Sequence, residues 1–121
     1  MIRVLIADNN LDSLELVDDL IEVYFKEADI QRALTKDAFF RKLSSAVKPF
    51  NLVLISADFD DGTGEELIAS LRVQYPELLD RLVVVASDSL PDNSPLAGFP
   101  LLQRPFSLDL FGEVVANACA C

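Results

Sequence analysis

Residues 51–64 read Asn51-Leu52-Val53-Leu54-Ile55-Ser56-Ala57-Asp58-Phe59-Asp60-Asp61-Gly62-Thr63-Gly64. The run opens with apolar residues in a length that suits a strand buried on both faces, then turns abruptly into carboxylates, Gly and Thr, which form loops. A buried strand therefore delivers its last residue to the edge of the core, and that residue is Ser56. The acids come after it.

The flanking segments show what this strand belongs to. Ile2 to Ala7 is a second apolar run, broken only by Arg3 and tipped by Asp8-Asn9-Asn10. From Leu11, the residues Leu14, Val17, Leu20, Ile21 and Tyr24 recur at three- and four-residue steps. That spacing predicts an amphipathic helix capped by Asn10 or Asp12, with Asp12 and Glu15 fitting a capping box. Ile30 to Leu34 contains Gln31 and Arg32 and suits an edge strand. Asp37 to Val47 reads as a helix with Phe39, Leu43 and Ala46 or Val47 on one face, stopped at Lys48 by Pro49.

Beyond the acidic loop, Gly64 to Gln74 predicts a helix with Leu67, Ile68 and Leu71 inward, closed by Pro76. Leu82 to Ala86 is the most β-branched run and predicts a central strand. Pro91, Pro95 and Pro100 leave little room for a regular helix between it and the short strand Leu101 to Gln103. Ser107 is placed to cap a last helix from Leu108 to Ala118.

Composition bounds the function. The 121 residues fit one domain, 1–121, and 51% hydrophobic against 25% charged residues is a globular balance. A net charge of −10 argues against direct contact with nucleic acid, which demands a basic face. There is no His, so a zinc site, a histidine base and a phosphohistidine are excluded together. Cys119 and Cys121 are the only cysteines, and their Cys-Ala-Cys spacing reads as poor geometry for a mutual bridge, leaving inert thiols. No signal-peptide pattern and no run of membrane-span length occurs, so the expected location is the cytoplasm with no membrane contact.

Strands and helices alternate five times, which implies an α/β fold: a parallel sheet, doubly wound, in three layers. Ligand sites in such folds collect at the carboxyl ends of the strands. Here those ends carry Asp8-Asn9, Ser56, Ala86-Ser87 and Arg104.

That list, in that order, resembles the receiver domain of two-component response regulators. Val4 to Asn10 is similar to the family's first strand with its acidic pair and Asn, and Asn51 to Ser56 to the third strand that ends in the phosphoacceptor Asp. Gly64 lies where the family opens its third helix, and Arg104-Pro105-Phe106 resembles its Lys-Pro-Phe turn, with Ser107-Leu108-Asp109-Leu110 following. The resemblance spans the whole chain and implies a flavodoxin-like, five-stranded fold of strand order 2-1-3-4-5, with the fourth helix shortened or irregular.

The same resemblance implies that three carboxylates hold Mg²⁺, a hydroxyl after the fourth strand binds the phosphoryl group, and a Lys neutralises it. The chain departs at each place. The acceptor position is Ser56, the second acid is Asn9, the hydroxyl position falls on Ala86, the Lys is Arg104, and the aromatic switch residue is Leu101. Asp8 with a neutral Asn9 oxygen makes a weak Mg²⁺ site at best, so no metal and no cofactor are expected. Ser56 lacks a His or Lys to activate it. Arg104 is expected to pair with Asp8.

Two variants stay open: Asp58 as a displaced acceptor, and Ser87 in place of Ala86 if the strand end bulges. The cluster Asp58, Asp60, Asp61 and Thr63 lacks the order of a calcium loop. A flavin or nucleotide site would require a phosphate loop where Asp8-Asn9-Asn10 stands. The reading is then an atypical receiver, not an enzyme, that is not phosphorylated and acts as a protein-interaction module. Its partner would be another signalling protein or a fused histidine kinase or output domain, met through Leu90, Leu96, Phe99 and Leu101. The alternative is a receiver that is phosphorylated on Asp58 or Ser56.

Overall fold

The computed structural model describes residues 2–57, 59, 64–86, 96, 98–104 and 106–119. Five parallel strands form one sheet: β1 Ile2–Ala7, β2 Ala28–Ala33, β3 Leu52–Ser56, β4 Leu82–Ala86 and β5 Leu101–Gln103, in the order β2-β1-β3-β4-β5. The helices are α1 Leu11–Tyr24, α2 Lys36–Ser45, α3 Gly64–Gln74 and α4 Leu108–Ala118, with a 3₁₀ segment Pro76–Arg81 leading into β4. The expected irregular fourth helix falls mostly on residues 87–95 and 97, which lie outside the described residues.

The pleat of the strands divides the core in two. Leu5, Val53, Ile55 and Val84 pack with Phe39 and Leu43 of α2 and Leu67, Ile68 and Leu71 of α3. Val4, Ile6, Leu52, Leu54, Val83 and Val85 pack with Leu14, Val17 and Ile21 of α1 and Phe111 and Val115 of α4. Because β1, β3 and β4 are covered on both faces, they read as continuous apolar runs.

Local chemistry moves several boundaries. Asn10 precedes α1 and its carbonyl accepts the Leu14 N–H at 3.0 Å, so Asp12 lies inside the first turn and the Asp12–Glu15 capping box is not formed around a cap. α2 starts at Lys36, one residue early, because Thr35 Oγ1 accepts the Ala38 N–H at 3.1 Å. It ends at Ser45, where Ala46 turns extended. β2 begins at Ala28 rather than Ile30, since Ala28 and Asp29 register against Ile2 and Arg3, and it remains an edge strand. The 3₁₀ segment was not expected; Pro76 at its start presets φ and needs no N–H partner. Cys119 is disulfide-bonded, which corrects its reading as an inert thiol. It caps α4 with extended backbone, and its N–H donates to the Val115 carbonyl at 2.9 Å.

Gly112 of α4 is a point of close approach between helices. A Cβ there would stand 2.2 Å from the Tyr24 ring, whose hydroxyl donates to the Leu108 carbonyl at 3.0 Å. Gly112→Ala is therefore expected to gain no stability while Tyr24 is present, because displacing the ring offsets the helix-propensity gain of about 1 kcal/mol. With Tyr24→Ala in place, the same change is expected to stabilise by about that amount, read in a double-mutant cycle by urea denaturation.

Candidate functional site at the carboxyl ends of the strands

Register brings the site together. Ala7 pairs with Ile55 and Ser56 with Val85, so Asp8 follows β1 beside the end of β3. The strand geometry runs on past the assigned ends: the Asp8 N–H donates to the Ala33 carbonyl at 3.2 Å, that of Ala57 to Val85 at 2.8 Å, and that of Arg104 to Ala86 at 2.8 Å. The backbone at all these ends is thereby fixed.

Among the described residues, Asp8 and Ser56 are the buried polar residues of the core, 4% and 5% exposed. A buried carboxylate is costly unless it is paired and hydrogen-bonded. Asp8 Oδ1 accepts the Asn10 N–H at 3.0 Å, and Oδ2 accepts from Arg104 Nη2 at 3.3 Å. The ion pair expected between Asp8 and Arg104 is thus present, with side chains 6% and 26% exposed. Asn9 is exposed, and Ala86 closes β4 as a buried residue. Asp58, Ser87 and Leu90 lie outside the described residues, as does the loop 60–63. The Asn10 N–H is a partner that sequence reading missed; the Asp-x-Asn spacing, in which a side chain bonds the backbone two residues on, was its signal.

The proposed contact surface needs correction. Leu96, expected to meet a partner, is 2% exposed and belongs to the core that covers the α2–α3 face of the sheet. Phe99 and Leu101 are half-buried against that same core, and the Arg72 guanidinium lies 5.9 Å from the Phe99 ring centre. The Leu96 carbonyl accepts the Phe99 N–H at 3.3 Å in a turn, and the Leu96 side chain joins the core cluster of that face.

Receiver-like folds imply Mg²⁺ at this place, and the described residues do not fit it. Both Asp8 oxygens already accept hydrogen bonds, one of them from a guanidinium. The neighbour across the sheet is a neutral Ser hydroxyl, and a hard divalent ion needs anionic oxygens to displace its water. Among the described residues no group of three or more acidic, His or Cys side chains is arranged to hold a metal.

No protein-family model and no curated relative matches the sequence. Solved structures do. A response regulator receiver domain protein from Clostridium thermocellum superposes with TM-score 0.81 at 16% identity, covering 98% of this chain and 94% of that one. A chemotaxis response regulator of Vibrio cholerae gives 0.80 at 15% identity, with 98% of each chain covered. A signal receiver domain of a two-component histidine kinase, also from Clostridium thermocellum, gives 0.80 at 13% identity over 98% of each. The fold is therefore that of response regulator receiver domains, with the strand order that the resemblance implied. No helix of the described residues is long and apolar enough to cross a membrane.

Proposed function

We propose that the chain is an atypical receiver domain of a two-component system that is not phosphorylated and works in the cytoplasm as a protein-interaction module, without metal, cofactor or catalysis of its own. One observation carries this reading: the Asp8 carboxylate is occupied by Arg104 and the Asn10 N–H, beside a buried Ser56 where receivers have their acceptor Asp. A phosphoryl group arriving there would meet a paired carboxylate and a hydroxyl with no base. The partner is another signalling protein or a histidine kinase or output domain fused to the chain; a likeness to a receiver domain of a histidine kinase supports that range. The acidic balance speaks against direct nucleic-acid contact.

Incubation with acetyl phosphate and Mg²⁺, followed by intact mass, is expected to give no phosphoryl adduct, and beryllofluoride is expected to leave the amide NMR spectrum unchanged. An adduct mapped to Ser56 or Asp58 would overturn the proposal in favour of a phosphorylated receiver with a non-standard acceptor.

A further inference from the structure

The charge of the chain is unevenly spread. Residues 32–48 carry Arg32, Lys36, Arg41, Lys42 and Lys48 against the single acid Asp37, so half of the ten cations sit in one short segment of a chain of net charge −10. Two of these are neutralised locally, Arg32 by Asp18 and Lys36 by Glu66. Arg41 and Lys48 have no acidic partner within salt-bridge distance among the described residues, and Lys42 donates to the Gln31 amide oxygen at 3.2 Å.

Lys42 and Lys48 line open space, and Arg41 lines a smaller adjoining cavity with Ala38, Lys42 and Ser45. A cavity of about 350 Å³ lies where the C-terminal end of α2 meets the starts of β1 and β2, walled by Arg3, Lys42, Ser45 and Lys48 with Ala46 and Phe50 as apolar lining. A second, of about 250 Å³, adjoins it across Val47 and Lys48 and is lined by Leu43, Tyr75 and Leu78. Val47, between them, is an apolar residue left 97% exposed. Arg3 is held rigidly at the wall: its guanidinium stacks 4.6 Å from the Phe50 ring centre, donates to the Lys48 carbonyl and pairs with Asp29 at 3.2 Å. Asp29 is the one acid of the wall; the Gln31 amide and the Arg3 guanidinium hold it below the usual carboxylate range, so it stays an anion already matched by Arg3.

We propose that this surface at the C-terminal end of α2, opposite the Asp8 end of the sheet, docks an acidic segment of a partner protein that carries an apolar side chain. Carboxylates of the segment meet Arg41, Lys42 and Lys48, while its apolar side chain fills the cavity over Phe50 beside Val47. Charge complementarity selects this occupant. An acidic peptide is repelled by α1, which carries Asp12, Glu15, Asp18, Asp19 and Glu22 and no cation, and by most of the remaining surface, so the α2 end is where it is attracted. A nucleic acid would be attracted to the same cations, but it would leave the apolar lining unused and meet the net negative field of the whole chain. The proposal names a partner class for the interaction role given above and rests on that role, not on the state of the Asp8 pocket.

The test uses the full chain, labelled with ¹⁵N, and three probes: an Asp/Glu-rich peptide bearing one central Leu, the same peptide with Leu replaced by Ser, and a single-stranded oligonucleotide. The Leu peptide is expected to shift amides of Arg3, Arg41 to Lys48 and Phe50, to bind about tenfold more tightly than the Ser peptide, and to weaken with added salt. Arg41→Glu with Lys48→Glu is expected to lower that affinity at least about tenfold while thermal unfolding stays unchanged. Shifts spread over the surface, equal binding of the two peptides, tighter binding of the oligonucleotide, or indifference to the double charge reversal would each overturn the proposal. So would self-association in sedimentation that the charge reversal abolishes, since the occupant would then be a second copy of the chain. A phosphoryl adduct in the acetyl phosphate experiment overturns only the reading of the pocket, whereas loss of peptide docking overturns only this one.

Discussion

Arg104→Leu is expected to destabilise the fold by about 2 kcal/mol, although Arg104 lies at the edge of the sheet and is partly exposed. The substitution leaves the Asp8 carboxylate buried with one of its two partners, the Asn10 N–H, and an uncompensated charge in that place is costly. Removing one member of a fully buried pair costs about 3–5 kcal/mol; the smaller figure reflects the solvent that reaches Arg104. Asp8→Asn keeps Oδ1 as acceptor for Asn10 and removes the charge, so the double variant Asp8→Asn/Arg104→Leu is expected to recover at least about half of the loss. Urea denaturation with unchanged m-value is the measurement. If Arg104→Leu alone leaves stability intact, or if Asp8→Asn worsens the loss additively, the two side chains are not a coupled pair.

The second large effect is expected at Leu96. Leu96→Ala removes a side chain that is buried in the core cluster on the α2–α3 face of the sheet, and the expected cost is about 3 kcal/mol from lost transfer energy and a residual cavity. Phe99→Ala, on the half-buried rim under Arg72, is expected to cost about 1 kcal/mol. The same urea series separates the two, and a Leu96→Ala variant as stable as the parent would return Leu96 to the surface. The contrast bears on function too: a Leu96 substitution that abolished partner binding would report unfolding, not a lost contact.

The strands were legible because the central strands are near-continuous apolar runs, interrupted only by Arg3 near the start of β1 and Ser56 at the end of β3, as burial on both faces requires. From their order followed the carboxyl ends, and from those the pairing of Asp8 with Arg104, residues far apart in sequence that the register of the sheet brings to one end. Leu96 was misread because its neighbours in sequence, Asn93, Ser94, Pro95, Ala97 and Gly98, suit an exposed loop, while its burial is decided by a core cluster drawn from distant elements, which sequence spacing does not place. The 3₁₀ segment Pro76–Arg81 escaped notice since its proline was taken only as the end of α3. Arg81 within it donates to the Phe50 carbonyl at 3.0 Å, a tie across 31 residues that no local pattern announces. The cationic end of α2 was hidden by averaging: a net charge of −10 says nothing of where the ten cations lie.

The Asp8–Arg104 pair also has a place in time. Its partners are 96 residues apart, and closing a free loop of that length costs about 4 kcal/mol of chain entropy, more than the pair returns. That cost disfavours it as an early contact; β3 and β4, which lie between β1 and β5 in the sheet, carry the two strand ends together. On a nascent chain Arg104 emerges long after Asp8, so the contact closes on a nearly finished sheet. An interaction made after the folding barrier slows unfolding without hastening folding. Formed so late, the Asp8–Arg104 pair would act as a latch on the lifetime of the native state and not on the speed of its formation.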